Sequence, residues 1–247
     1  MRELRRSNLG AVALFAVAMA YVESAVVVYL RRAYGITDLT TSLARFEPRV
    51  AAIEVGREAA TLVMLAAVGW MAGRSWQARW GYALVAFGVW DVAYYLWLRL
   101  FIGWPQSPLT PDLLFLIPLP WWGPVLAPVL IAVLMVIGGS RAVQLAERGW
   151  RVRLDRWDVW LLALGTVLAL VAFMWDGLMT LMAHPSQVAQ VKPGAFLWPV
   201  YLASLALAGV AVYRGLFRTA ANLPSRRPDR PRAADQQFVQ PGADTDE

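Results

Sequence analysis

The chain has 247 residues, of which 59% are hydrophobic and only 16% are charged. This composition excludes an ordinary soluble domain and predicts an integral membrane protein. There is no cysteine, which excludes disulfides, thiolate metal sites and thiol catalysis. The formal net charge is +6, but the basic residues fall mostly at predicted helix ends and in the tail, so the charge indicates contact with anionic lipid and not with nucleic acid.

Six apolar stretches are each long enough to cross a bilayer, for which about 20 residues are needed. They cover residues 9–30, 50–73, 80–102, 122–146, 158–182 and 196–217. The sequence therefore predicts an all-α, polytopic membrane domain of six transmembrane helices in residues 1–218. Residues 219–247 are rich in Pro, Arg, Asp and Gln, and are predicted to be a disordered cytoplasmic tail.

The first apolar stretch has an alternative interpretation as a cleaved signal peptide. Basic residues precede it, and the small residues Ala18 and Ala20 resemble a cleavage site. However, apolar sequence resumes after Glu23 and continues to Leu30, which completes a full span. We therefore expect a retained helix, and N-terminal sequencing of the mature protein distinguishes the two.

The connections on one side of the predicted bundle carry structural signals. Ile36, Leu39, Leu43 and Phe46 share one face at helical spacing, which predicts a short helix lying on the membrane surface. Further along, Thr110, Pro111 and Asp112 have the order of an N-cap, a first-turn proline and an acid favoured by the helix dipole. Residues 111–117 are therefore predicted to form a short interfacial or re-entrant helix before the fourth span, with Asp112 as a helix-start residue.

Basic residues set the predicted orientation. Arginines concentrate in the connections at 74–79 and 141–156 and after the sixth apolar stretch. The protein is predicted to lie in a bacterial inner membrane, and by the positive-inside rule both of its termini are predicted to lie in the cytoplasm. One predicted outer loop argues the other way, because it carries Arg31, Arg32, Arg45 and Arg49.

Several carboxylates interrupt the predicted spans. An acid inside a span costs several kcal/mol unless it faces a partner, water or an ion. With a rise of about 1.5 Å per residue, these acids lie roughly 6 to 15 Å below the outer boundary. The inner half of the predicted bundle holds no comparable charge. We therefore expect one polar pocket that opens outward and contains Glu23, Glu54, Glu58, Asp91 and Asp176.

Helical spacing groups these acids with other polar side chains. Glu54 and Glu58 share one stripe with Arg57 beside it, and Asp91 has Tyr94 and Tyr95 one turn later. Arg57 is predicted to shift the pKa values of the acids, and the two tyrosines are predicted to orient a ligand. Because five acids exceed the nearby basic groups, some must be protonated, solvated or paired with a bound cation.

The composition also limits the chemistry. One histidine and no cysteine favour a hard cation such as Na⁺, Ca²⁺, Mg²⁺ or Mn²⁺, or protons, over other metals. No organic cofactor is predicted. The oxygen ligands of a cation would be Glu54, Glu58, Asp91 and Asp176. A two-aspartate hydrolase that uses Asp91 and Asp176 is a further possibility, since paired acids can share a proton.

Three functions are compatible with this pattern. The first is a small carrier or binding protein for a cationic or hydrogen-bonding solute, coupled to protons or a cation. The second is an intramembrane enzyme that uses the same carboxylates on a lipid or prenyl substrate. The third is a non-catalytic subunit whose charged stripe pairs with another membrane protein, or with a second copy of the chain. A purely structural role for Glu54, Arg57 and Glu58, as an ion-pair network, is the simplest alternative to all three.

Overall fold

The computed structural model describes residues 7–36, 48–115 and 118–221. Within these ranges the chain forms six long helices and one β-hairpin. They are α1 (Leu9–Ala33), α2 (Pro48–Ala72), α3 (Trp76–Ile102), β1 (Pro111–Phe115), β2 (Trp121–Pro124), α4 (Leu126–Glu147), α5 (Arg156–Ala183) and α6 (Trp198–Ala221), with a 3₁₀ turn at Pro185–Gln190. The predicted surface helix falls almost wholly outside the described residues. So does the predicted tail from residue 222 onward, whereas α6 extends to Ala221.

Five of these helices are long and apolar enough to cross a membrane. They are α1, α3, α4, α5 and the Trp198–Leu216 part of α6. The helix α2 is also 25 residues long, but it is not among the five. It carries Glu54, Arg57 and Glu58 within its length. The protein is thus a mainly helical membrane protein, and a sixth crossing by α2 stays a prediction.

The segment before α4 is a β-hairpin, so the prediction of a short helix at 111–117 is wrong. In the hairpin, Asp112 lies opposite Gly123 and Leu113 lies opposite Trp122. Pro118 and Pro120 would limit a helix here to about two turns, and so short a helix is marginal. Pairing with the aromatic β2 segment instead satisfies the backbone groups. For the same reason the fourth long helix begins at Leu126 and not at residue 122.

Helix α3 lies at the centre of the first four helices and packs against α1, α2 and α4. Its contact with α4 is close because glycines lie at the crossing. A Cβ atom on Gly88 would lie 2.5 Å from the backbone oxygen of Ala132, and a Cβ on Gly139 would lie 2.6 Å from that of Gly81. No side chain fits at such distances, so these glycines set the separation of the two helices.

The helices α5 and α6 pack against each other and form a second group. In this group α6 also contacts α4, and α5 also contacts β2. Tyr201 of α6 is fully buried, and its hydroxyl donates a 2.5 Å hydrogen bond to the backbone oxygen of Ala127 in α4. The hairpin lies between the two groups of helices. We call the end of the bundle that carries it the hairpin end. The other end, which carries the first residues of α1, is the opposite end.

Candidate ligand-binding cavity

A cavity of about 950 Å³ opens at the hairpin end. Its wall is contributed by α1, α2, α3, the hairpin, the first turns of α4, Phe173 of α5 and the 3₁₀ turn. Seven of the eight residues proposed from the sequence line it: Glu23, Glu54, Arg57, Glu58, Asp91, Tyr94 and Tyr95. Four polar residues that were not among the predicted site residues also line it: Arg31, Thr61, Asp112 and Ser186.

Asp176, the eighth residue, lies elsewhere. It lines a second pocket of about 290 Å³, and its Oδ2 accepts a 2.8 Å hydrogen bond from the backbone N–H of Gly194. The chain that follows α5 turns back over this carboxylate and satisfies it. Asp91 and Asp176 therefore do not form the acid pair that a two-aspartate hydrolase would need. The four predicted oxygen ligands Glu54, Glu58, Asp91 and Asp176 do not come together.

Arg57 connects acids from two helices on one wall of the cavity. Its Nε donates a 2.8 Å hydrogen bond to Glu54 within α2, and its Nη1 contacts Glu23 of α1. The hydroxyl of Thr61 also donates to Glu23, over 3.2 Å. All of these side chains are largely buried. Since α1 and α2 pack mainly against α3 and little against each other, this network is their principal polar link.

Glu58 lies one turn after Glu54 on the cavity side of α2. It is half-buried and is close enough to Arg57 for their charges to interact. One guanidinium therefore serves three glutamates: Glu23, Glu54 and Glu58. A network of this kind links the helices and also forms an acidic wall. The ion-pair network and the pocket that the sequence predicted as alternatives therefore consist of the same residues.

Asp112 belongs to the cavity and is not a helix-start residue. Its side chain is only 4% exposed, and its Oδ2 accepts a 3.0 Å hydrogen bond from the hydroxyl of Tyr95. Burial raises the pKa of Asp112 to about 6, although the nearby Arg31 and the Tyr95 hydroxyl act against the rise. The guanidinium of Arg31 lies over the ring of Trp104, 4.3 Å from its centroid. The sequence signal for this role was an acid between prolines in a strongly apolar connection, because an acid in such surroundings needs a buried partner.

Five residues of the wall have a buried side-chain atom without a hydrogen-bond partner among the described residues: Arg31 (Nε), Arg57 (Nη1), Trp90 (Nε1), Asp91 (Oδ2) and Trp121 (Nε1). The Arg57 atom is in an ion pair with Glu23. Among the acids of the cavity, Asp91 is the one with such an atom, and its neighbour Trp90 is only 9% exposed. Buried polar groups are nearly always satisfied in folded proteins, and those that are not often mark a site for water, an ion or a ligand.

The charges of the cavity do not balance within the described residues. Five carboxylates line it, from Glu23, Glu54, Glu58, Asp91 and Asp112, against two guanidiniums, from Arg31 and Arg57. If all are ionised, the excess is three negative charges (five minus two). Within the described ranges, no group of three or more His, Asp or Glu side chains is placed to hold a metal ion. Bound protons or a positively charged group would offset such an excess.

A separate buried charge cluster lies at the opposite end, contrary to the expectation that this half holds none. Asp158 is fully buried in the first turn of α5. It pairs with Arg214 Nε at 2.9 Å and with Arg218 Nη1 at 2.8 Å, both from α6. Asp158 and the N-cap Asp155 also form a capping box. From the sequence, residue 158 was predicted only to begin a span, whereas in the structure its ion pairs join α5 to α6.

Comparison with protein-family models, with curated proteins and with solved structures gives no match for this chain. The fold and the cavity together define a helical membrane protein that carries an acidic cavity at one end of its bundle.

Proposed function

We propose that this protein is a small bacterial inner-membrane carrier or binding protein. It takes a cationic or hydrogen-bonding solute into the cavity, and binding is coupled to protons or to a cation. One observation carries the proposal: five carboxylates and two guanidiniums line a single cavity, and one carboxylate oxygen, Asp91 Oδ2, is buried there without a hydrogen-bond partner among the described residues. A positively charged ligand group beside Asp91 would reduce the excess negative charge of the cavity.

The orientation of the cavity supports uptake from outside the cell. The cavity lies at the hairpin end, whereas the connections 73–75 and 148–155, which together contain Arg74, Arg148, Arg151 and Arg153, lie at the opposite end. The positive-inside rule favours the cytoplasm for the arginine-rich end. On this proposal the cavity faces the periplasm.

Proton coupling follows from the same excess of acids. A carboxyl that is buried without a cation favours its neutral form, and a cation that arrives beside it favours the ionised form. Binding of a cationic solute would then release protons, and protonation would release the solute. In this scheme Asp91 and Asp112 exchange protons, Tyr95 holds Asp112, and Arg57 keeps Glu23 and Glu54 in position.

Proton release can be measured directly in proteoliposomes that contain a pH-sensitive dye. We expect that addition of a transported cation, from a panel of amines, polyamines and basic amino acids, changes the internal pH. The Asp91→Asn variant should lose the signal. The Asp176→Asn variant is a matched control, because it makes the same change in a helix-borne acid outside the cavity. Equal signals from both variants and the wild type would contradict the proposal, as would the lack of any signal across the panel.

A second candidate is an intramembrane enzyme for a lipid or prenyl substrate, and the wall of the cavity favours it. Leu62, Phe87, Trp90, Trp121 and Phe173 contribute apolar surface next to the carboxylates. In that case the carboxylates act as general acids and bases. Incubation with extracted bacterial lipids followed by mass spectrometry distinguishes the two: an enzyme converts a lipid in an Asp91-dependent manner, whereas a carrier leaves the lipids unchanged.

A further inference from the structure

The cavity is much larger than the charged groups require. A volume of about 950 Å³ lies at the upper end of the range for pockets that hold drug-sized organic molecules. A bare metal ion needs only a small space and several oxygen ligands around it. Within the described residues no suitable set of three or more such side chains is present. The size of the cavity thus points to an organic ligand.

The apolar part of the wall contains two groups of aromatic rings. On α3, the ring of Trp90 lies 5.5 Å from that of Phe87 and stacks on Tyr94 at 6.1 Å. On the other side, the ring of Trp121 from the hairpin stacks on Phe173 of α5 at 6.3 Å. All of these residues line the cavity. Aromatic surfaces attract both apolar groups and cations, and the attraction to cations is stronger where water is excluded.

The unpartnered carboxylate is next to this aromatic surface. Asp91 follows Trp90 in α3 and precedes Tyr94 by one turn. Its buried Oδ2 and the Nε1 of Trp90 lack partners among the described residues. Among the other acids of the cavity, Glu23 and Glu54 contact Arg57, and Asp112 accepts from Tyr95. Glu58 has a charge interaction with Arg57. Asp91 is therefore the acid best placed to receive a ligand's positive charge.

We infer that the ligand of this cavity is an amphiphilic organic cation, with its charged group at Asp91 and its apolar body between the aromatic groups of Trp90 and Trp121. This inference rests on the proposed function and narrows its solute to one chemical class. An ammonium group would interact with the Asp91 carboxylate and with the neighbouring ring faces at the same time. A hydrophilic cation would leave the aromatic wall unused, and a neutral amphiphile would leave Asp91 without a partner.

The test is isothermal titration calorimetry of the full chain in nanodiscs with a series from ethylammonium to octylammonium. Octanol serves as the neutral analogue and Na⁺ as the small cation. We expect the affinity to rise by about fourfold for each added methylene, as apolar burial predicts. Octanol should bind at least tenfold more weakly than octylammonium. Since alkylammonium ions also enter lipid, the heat of titration into empty nanodiscs of the same lipid is subtracted.

Three variants test whether binding of the charged group depends on Asp91 itself. Asp91→Asn should weaken octylammonium binding at least tenfold, Asp91→Glu should restore part of it, and Asp176→Asn should bind as the wild type does. Affinity that is independent of chain length, or equal for octanol and octylammonium, would overturn the inference. In the first of these cases a hydrophilic cation is the solute and the proposed function stands. If neither ammonium ions nor Na⁺ bind, and proteoliposomes show no proton signal, the proposed function fails together with the inference.

Discussion

The hydroxyl of Tyr95 in α3 donates a 3.0 Å hydrogen bond to Oδ2 of Asp112 in the hairpin. Both side chains are buried, and the bond joins the central helix to the segment that closes one side of the cavity. The Tyr95→Phe change removes the donor and leaves a buried carboxyl oxygen unsatisfied, so we expect the free energy of unfolding to fall by about 1 to 3 kcal/mol. Unfolding by SDS in mixed micelles, followed by tryptophan fluorescence, measures the change.

The control for this variant is Tyr29→Phe, which removes the hydroxyl of an exposed tyrosine on α1. Its stability should stay within about 0.5 kcal/mol of the wild type. Equal losses for the two variants would show that the Tyr95 hydroxyl makes no specific contribution.

Asp112 should make the stability depend on pH. Burial raises its pKa from an ordinary value of 3.8 to about 6, so the folded chain keeps this proton to a higher pH than the unfolded chain does. Between about pH 4 and pH 6 the folded state binds more protons, and the free energy of unfolding falls as the pH rises. The contribution of Asp112 is thus fully present below its unfolded pKa and is lost above about pH 6.

The Asp112→Asn variant tests this dependence, because an amide stays neutral and its oxygen can still accept from Tyr95. The unfolding free energy of the wild type minus that of the variant should decrease by up to about 3 kcal/mol from pH 4 to pH 7. Parallel pH profiles for the two proteins would contradict the assignment of a raised pKa to Asp112.

Arg57 should act together with Glu23 across α1 and α2. Arg57→Gln leaves the largely buried carboxylate of Glu23 without its cation, and breaking a buried pair from one side costs about 3 kcal/mol. Adding Glu23→Gln to Arg57→Gln should recover part of this loss, since neither charge is then left unpaired. Unfolding measurements on the two single variants and the double variant give the coupling energy, and purely additive losses would show that the two residues act independently.

The crossing of α3 and α4 gives a prediction about packing alone. A Cβ on Gly88 would lie 2.5 Å from the backbone oxygen of Ala132, so Gly88→Ala must push the helices apart and should cost about 1 to 3 kcal/mol. Gly209→Ala on α6 is the matched control, because a Cβ there meets no atom within 4 Å. Alanine is the better helix former, so this second change should be neutral or stabilising by up to about 1 kcal/mol.

The parts of the fold that repeat with helical period could be predicted from the sequence. All six predicted spans correspond to long helices, with ends displaced by a few residues, because apolar length and charged connections depend only on local sequence. The hairpin was missed because the choice between a short helix and a strand depended on a partner segment, Trp121–Pro124, that local spacing does not reveal. Asp112 was misassigned for the same reason.

The composition of the cavity could be predicted only in part. Glu54 and Glu58 share a face of α2, and Asp91 shares a face of α3 with Tyr94 and Tyr95, as sequence spacing specifies; all five line the cavity. Asp176 has a similar depth, but its partner, the backbone N–H of Gly194, comes from the return path of the chain after α5. Depth along a helix is readable from sequence, whereas the rotation of that helix toward a neighbour and the course of a connecting segment are not.

The central claim is that acids from separate helices share one water-filled, negatively charged cavity open at the hairpin end. Because the natural chain has no cysteine, single cysteines can report on it without background. Met135 of α4 lines the cavity, whereas Ile137, two residues later, is 59% exposed on the outside of the bundle. The Met135→Cys and Ile137→Cys variants therefore compare the interior of the cavity with the lipid-facing surface of one helix.

The most direct measurement is the rate at which charged, membrane-impermeant methanethiosulfonates modify these two variants from the outside of sealed vesicles. A thiol must be wet and ionised to react. We predict that Met135→Cys is modified, and that the cationic reagent reacts about tenfold faster than the anionic one after correction for their rates with a free thiol. Ile137→Cys should stay unmodified. Equal corrected rates for the two reagents, or no modification of Met135→Cys, would contradict the account.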